Sequence, residues 1–255
     1  MNAMFDRANL SPSDGDPGRL PEIWLLDADL VSSGGDPERI AQDRLDRSER
    51  QRLRAFRHPG ARLRFLAARL LARAALGERL GLPGPALVFG TAKGGKPFLA
   101  DPPVPGLDFN LSHSGALVAC AISTQGPVGV DVEVWDRPLP AADLARQWFT
   151  PAEAAWVARD PDRARLRFLA LWTLKEACLK LTGQGLAGGL DRISFTPDRA
   201  GALLPSDPSL PACRLLLPRP GYWLAVCGPG LDVRPPHLHW PDVRHLLTTV
   251  RKNRD

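Results

Sequence analysis

The heptapeptide ARLRFLA stands at residues 61–67 and again, unchanged, at residues 164–170. After the first copy the chain continues ARLLARAALGERLGLPGPALVFGTAKGG, and after the second LWTLKEACLKLTGQGLAGGLDRISFTPDRAG. Each continuation reads as a helix, a glycine-rich loop, a short strand (87–91 in one, 193–196 in the other) and a turn. An identical seven-residue match followed by the same order of elements predicts two structurally related halves, meeting near TQGP at 124–127. The competing explanation is a shared helix pattern in a chain rich in arginine and alanine.

Element boundaries follow from local signals. In FTPAEAAWV, Thr150 is placed as N-cap, Pro151 in the first turn and Glu153 three residues after the cap, which is a capping box. The text from Asp160 to Gly183 predicts a helix over about 161–182, opened by Asp160-Pro161 and stopped by the glycine. In the first half a strand at IWLLDADL precedes two helices, ERQRLRAF and ARLRFLAARLLARAAL. FNLSHS and LVACAIS read as a hairpin around Gly115 that leads into GVDVEVW at 129–135.

That last strand is unusual. Side chains alternate along a strand, so Asp131 and Glu133 share one face while Val130, Val132 and Val134 share the other. Two like charges so close raise each other's pKa unless a cation, a proton or open water relieves them. On the long helix, Trp172, Glu176 and Lys180 recur every four residues and line one face. A solvated strand face and a surface ion pair would explain each feature separately. Together, three carboxylates of which two lie on a buried-type strand suit a hard divalent cation such as Mg²⁺, which keeps places for water and phosphate oxygen. A lysine one turn from the third carboxylate is placed to meet phosphate, so phosphate chemistry is the leading class.

Composition bounds the rest. The chain has 255 residues, 44% hydrophobic and 24% charged, enough for one large domain or two ordinary ones with a real core. A net charge of +5 favours acidic partners without naming them. Cys120, Cys178, Cys213 and Cys227 are scattered with no CxxC pair, which indicates neither a disulfide framework nor a thiolate zinc site. Residues 1–20 lack the apolar core of a signal peptide and no run is long enough to span a membrane, so a cytoplasmic location is expected.

KPFL (96–99), FNLSHS (109–114), GVDVEV (129–134), FTPAE (149–153) and WTLKEACLK (172–180) occur in the order and approximate spacing seen in phosphopantetheinyl transferases. The chain resembles the two-subdomain, surfactin-synthetase-type branch over about residues 45–230. The resemblance implies an α+β fold of two similar α+β subdomains related by a pseudo-twofold axis. The expected divisions are a flexible segment 1–20, an N-terminal subdomain 21–126 and a C-terminal subdomain 127–255, with the site at their junction. It implies transfer of the 4′-phosphopantetheine arm of coenzyme A to a serine hydroxyl of an acidic apo acyl or peptidyl carrier protein, releasing adenosine 3′,5′-bisphosphate. By motif, Asp131, Glu133 and Glu176 would hold Mg²⁺, and Asp131 would thereby face the coenzyme A pyrophosphate. Glu176 would be the base for the serine, and Lys180 would steady the pyrophosphate and assist departure. Ser112 and His113 would meet the 3′-phosphate, with Lys96, Arg64 and, more loosely aligned, Arg52 adding charge. Glu49 stands where some relatives look basic. A monomer is expected, because one chain holds both halves of the site, and the segment 137–149 is a candidate carrier surface.

Two look-alikes are set aside. In GTAKGGKP the lysine precedes Pro97 in place of Ser or Thr, so no phosphate-loop helix begins there. His237, His239 and His245 read as part of a polar tail in preference to a metal site. The rival functions are a basic nucleic-acid-binding protein, using Arg62, Arg69 and Arg73, and a Mg²⁺-dependent nuclease. Neither gives KPFL or FNLSHS a task, and no nucleic-acid partner is expected.

Overall fold

The computed structural model describes residues 20–183, 185, 189–199, 201–232 and 235–248. The expected N-terminal segment, apart from Leu20, and the side chain of His245 lie outside them. The first half comprises β1 (Glu22–Asp27), α1 (Ala28–Ser33), α2 (Pro37–Arg44), α3 (Arg47–Ala55), α4 (Pro59–Leu80), β2 (Val88–Thr91), β3 (Pro97–Asp101), β4 (Asp108–Ser114) and β5 (Leu117–Ser123). The second comprises β6 (Gly129–Val134), α5 (Ala141–Trp148), α6 (Pro151–Ala158), α7 (Ala164–Thr182), β7 (Phe195–Pro197), β8 (Leu203–Pro205), β9 (Cys213–Leu216) and β10 (Tyr222–Cys227). A short strand β11 (Leu238–His239) and helix α8 (Val243–Thr248) follow.

The two heptapeptides fall in α4 and α7, and the elements around them repeat. The sheet of the first half runs β11-β1-β5-β4 and that of the second β6-β10-β9, with hairpins β2-β3 and β7-β8 beside them. Thus β1, α4, β2-β3, β4 and β5 correspond to β6, α7, β7-β8, β9 and β10. The fold is α+β, and the repeat read from the sequence is a repeat of topology.

Strand alternation sorts the apolar residues into three cores. Trp24 and Leu26 of β1 and Val118, Cys120 and Ile122 of β5 pack with α4, whose residues Leu66, Leu70, Leu71 and Leu76 are buried. Trp223, Ala225 and Cys227 of β10 pack with Leu171, Leu174 and Cys178 of α7. The opposite faces, Ile23 and Leu25, Ala119 and Ala121, Val130 and Val132, Leu224 and Val226, meet in a third core between the sheets. The result is a helix, two sheets and a second helix in layers. Among the described residues no helix is long and apolar enough to cross a membrane.

Local signals acted largely as expected. Thr150 caps α6 in a capping box with Glu153, and Gly183 ends α7 in the left-handed region at φ +71°. The β4-β5 hairpin turns at Gly115, φ +55°. Two boundaries differ. The strand expected at IWLLDADL stops at Asp27, whose carboxylate accepts from Asp29 N at 3.0 Å and starts α1. The expected helix start at Pro161 is a turn, because the N–H groups of Arg163 and Ala164 bond three residues back to Asp160 and Pro161 carbonyls. A third correction concerns the scattered cysteines: Cys178, Cys213 and Cys227 converge beneath α7.

One buried ion pair stitches the second half. The Lys175 ammonium, with no exposed surface, donates to Glu153 Oε2 and to Leu190 O, both at 2.8 Å, and to Ile193 O. Glu153 Oε1 accepts from Phe195 N at 2.9 Å, so α6, α7 and β7 share one network. Lys175→Met leaves that buried carboxylate without its counter-charge and takes a donor from two carbonyls, and is expected to cost about 3–5 kcal/mol in urea unfolding. A loss below about 1 kcal/mol would remove this pair from the stabilising contacts.

Candidate active site

Strand β6 is hydrogen-bonded to β10 along one edge, which leaves the N–H groups of the other edge to be satisfied elsewhere. Strand β4 supplies side chains for them. Val128 N donates to Asp108 Oδ2 at 2.8 Å, Val130 N to Asn110 Oδ1 at 3.1 Å, and Val132 N and Val134 N to Ser112 Oγ and Ser114 Oγ, both at 3.2 Å. Every second residue of β4 is therefore polar and points across the junction. The hydroxyls then continue to the acidic pair: Ser112 Oγ donates to Asp131 Oδ1 and Ser114 Oγ to Glu133 Oε2, each at 2.8 Å.

The opposite face of β6 lies on α7. A Cβ at Gly129 would stand 1.9 Å from Ala177 O and 2.6 Å from Leu181 N, so only glycine permits this approach. Two and four residues further along the same face come Asp131 and Glu133, level with Glu176 and Lys180 of the helix. The Lys180 ammonium bonds Asp131 Oδ1 at 2.5 Å and Ser112 Oγ at 3.1 Å.

These groups line a cleft of about 420 Å³ between the halves. Arg52, Phe65 and Arg69 form its first-half wall, Trp172, Glu176 and Lys180 the opposite wall, and Leu111 to His113 with Asp131 to Glu133 the floor. Among the described residues, Asp131 Oδ2 is buried with no hydrogen-bond partner. Desolvation, and next the Asp131 charge, raise the pKa of Glu133 above the usual carboxylate range. Desolvation likewise raises that of Glu176; Lys180 opposes the shift, and Asp131 and Glu133 add to it. An orphaned carboxylate oxygen beside two carboxyls that resist ionisation is an oxygen donor set short of positive charge, and a hard divalent cation fits it. The trio is wider than a closed ligand shell: among the described residues only Cys178, Cys213 and Cys227 bring three ligand atoms within 4.8 Å of one another.

Basic groups stand across the cleft. The Arg69 side chain packs over Phe65, 5.1 Å from the ring centroid, and its Nη1 is buried without a hydrogen-bond partner. Desolvation lowers its pKa, with Glu49 opposing the shift. Glu49, which stands where some relatives look basic, completes the capping box of α3 with Asp46 and pairs with the buried Arg73 at 2.5 Å, and so anchors this wall. Arg52 lies 5.7 Å from the Phe65 centroid. His113 keeps an exposed face, yet partial desolvation of its ring and the nearby Arg64 charge hold its pKa below the ordinary histidine value.

The structure thus gathers Asp131, Glu133, Glu176, Lys180, Ser112, His113 and Arg52 around one cleft, with Arg64 near His113. Lys96 is placed differently. Its ammonium donates to Asp108 Oδ2 at 2.5 Å, Val128 O at 2.9 Å and Leu181 O at 3.3 Å, so all three protons serve the junction. The Ser112 hydroxyl is also fully engaged, donating once and accepting twice. Arg69 entered the sequence reading only through the nucleic-acid rival, and its place on the cleft wall needed the packing of α4. The polar alternation Asp108, Asn110, Ser112, Ser114 was the one available signal for the ladder.

Residues 127–227 match the 4′-phosphopantetheinyl transferase superfamily model and residues 38–125 that of the 4′-phosphopantetheinyl transferase N-terminal region. A 4′-phosphopantetheinyl transferase of Bacillus subtilis is 33% identical over 175 residues, 68% of this chain and 75% of its own length. The 4′-phosphopantetheinyl transferase HetI of Nostoc sp. is 34% identical over 229 residues, 86% of this chain and 91% of its own. Sfp of Bacillus subtilis strain 168, also named a 4′-phosphopantetheinyl transferase, is 32% identical over 188 residues, 72% and 82% respectively. Two adjoining family matches and relatives aligned along most of their length make this chain a transferase of the 4′-phosphopantetheinyl transferase superfamily, in the Sfp-like branch.

Proposed function

We propose that the cleft binds coenzyme A with Mg²⁺ and passes the phosphopantetheine arm to a serine hydroxyl of an apo acyl or peptidyl carrier protein. The observation that carries this reading is the meeting of Asp131, Glu133 and Glu176 on one side of a cleft whose other side is basic. Asp131, Glu133 and Glu176 would hold the ion. When bound, it neutralises charge that gathers on the pyrophosphate oxygens during displacement.

Glu176 accepts the serine proton, directly or through one water, as the serine oxygen bonds to the phosphorus bearing the pantetheine arm. A carboxylate beside the attacked phosphorus is well placed for that task. The bond from that phosphorus to the bridging oxygen breaks, and adenosine 3′,5′-bisphosphate leaves with the electron pair. Lys180, fixed by Asp131 and Ser112, presents its charge to the pyrophosphate and steadies the leaving group. His113, Arg52, Arg64 and Arg69 supply donors for the 3′-phosphate region. Lys96 and the Ser112 hydroxyl act by holding the junction, since their bonds are already made.

Because the walls come from residues 21–126 and 127–255 of one chain, a monomer suffices. The carrier would present its acidic helix to the surface around α5, where Trp148 is 43% exposed and the Arg137 side chain 54% exposed. Incubation with coenzyme A, Mg²⁺ and an apo carrier tests the whole reading. The carrier should gain the phosphopantetheine mass; an unchanged carrier alongside shortened DNA would favour the nuclease instead.

Glu176→Gln is expected to lower kcat/KM for transfer by about 10²–10⁴-fold with an unchanged circular dichroism spectrum, and Asp131→Ala to abolish transfer. Near-normal turnover in either variant contradicts the assignment. His113→Ala should weaken coenzyme A binding about ten- to a hundredfold, the worth of a charge-assisted hydrogen bond. Dephospho-coenzyme A should bind the variant almost as it binds the parent. Equal losses for the two ligands would remove His113 from the 3′-phosphate.

A further inference from the structure

Under α7, on the face turned away from the cleft, three thiols meet. Cys178 comes from the helix, Cys213 opens β9 and Cys227 closes β10, where the two strand residues are direct antiparallel partners. Cys178 Sγ lies 3.3 Å from both Cys213 Sγ and Cys227 Sγ, and all three sulfurs fall within 4.8 Å of one another. Ordinary packing separates even the smaller carbon atoms by about 3.5–4.0 Å, so these sulfurs are closer than apolar filling requires. Cys178 and Cys227 are buried and Cys213 is half-buried. The proposed transfer uses none of them.

We propose that Cys178, Cys213 and Cys227 form a three-sulfur binding site for one thiophilic d¹⁰ cation, with monovalent copper as its ion. Sulfur ligands select soft ions over the hard ion suited to the carboxylates of the cleft. A trigonal ion about 2.3 Å from each sulfur sets the sulfurs about 4 Å apart. The separations here, two of 3.3 Å and a third of at most 4.8 Å, lie within about 1 Å of that value, which small side-chain rotations span. Structural zinc is closed by four ligands, whereas among the described residues no fourth His, Cys, Asp or Glu joins this group. The number of sulfurs therefore favours an ion content with three. As each copper–sulfur bond forms, the thiol concerned releases its proton to water and copper keeps its oxidation state. The bound ion ties α7 to β9 and β10, two residues from Glu176 and Lys180 along the helix.

The test is a competition titration of the reduced, full-length protein with Cu(I) held by a chromophoric chelator, and with Zn(II) against a zinc indicator in parallel. One Cu(I) per chain should leave the chelator, with thiolate-to-copper absorption in the near ultraviolet and a rise in Tm. Cys213→Ser, at the first residue of β9, should weaken copper binding by at least about tenfold, the lower bound for disturbing even a neighbour of a metal ligand. Cys120→Ala, in the other half's core, should leave it unchanged. The wild-type titration decides even where a variant folds poorly. Copper left wholly on the chelator, or equal binding by Cys213→Ser verified as folded, overturns the site; zinc bound in preference to copper overturns the choice of ion. None of these outcomes depends on whether the cleft transfers phosphopantetheine.

Discussion

A free sheet edge has to be satisfied, and here side chains do it. The outer N–H groups of Val128, just before β6, and of Val130, Val132 and Val134 within it are taken up by Asp108, Asn110, Ser112 and Ser114 of β4. Each such bond contributes only about 1 kcal/mol net, but a buried N–H left without its acceptor costs about 1–3 kcal/mol. Register is therefore strongly set, since a shift of one residue would turn Phe109 and Leu111 toward the amides and expose the polar row to the α4 core. The two halves are thus fixed to each other by residue-specific bonds as well as by the apolar core between their sheets.

From that register the electrostatics of the cleft follow. Ser112 and Ser114 hold Asp131 and Glu133 in place, Gly129 lets α7 descend onto β6, and the descent brings Glu176 level with the pair. Three acidic groups then share a partly dry wall with a single ammonium, Lys180, bonded to one of them. Burial and mutual repulsion raise Glu133 and Glu176, as they do wherever like charges are crowded. The arrangement is costly for stability, and crowded charges of shifted pKa in a cleft mark a candidate functional site.

Much of this was legible because it is local. Period-two alternation placed Asp131 and Glu133 together, the four-residue spacing placed Glu176 and Lys180 together, and the doubled heptapeptide foretold the repeated topology. What was not legible depends on elements far apart in sequence. Lys96 carries a charge suited to phosphate, yet its partners Asp108, Val128 and Leu181 come from three separate segments and use every proton. Arg69 looks like any helical arginine until Phe65 and Phe89 pack against it. The cysteines have no motif spacing because a helix and two strands deliver them to one point. The helix start at Pro161 failed for a different reason: an Asp-Pro pair opens turns as readily as helices.

The measurement that bears most directly on the central constraint is amide hydrogen exchange at Val130 in the folded protein, with and without Asn110→Ala. If the side-chain ladder is what closes the β6 edge, Val130 should be strongly protected in the parent and lose most of that protection in the variant, while Val226 of β10 keeps its own. Equal protection of Val130 in both proteins would show that the edge is closed by something other than β4, and would contradict the ladder as the element on which the cleft depends.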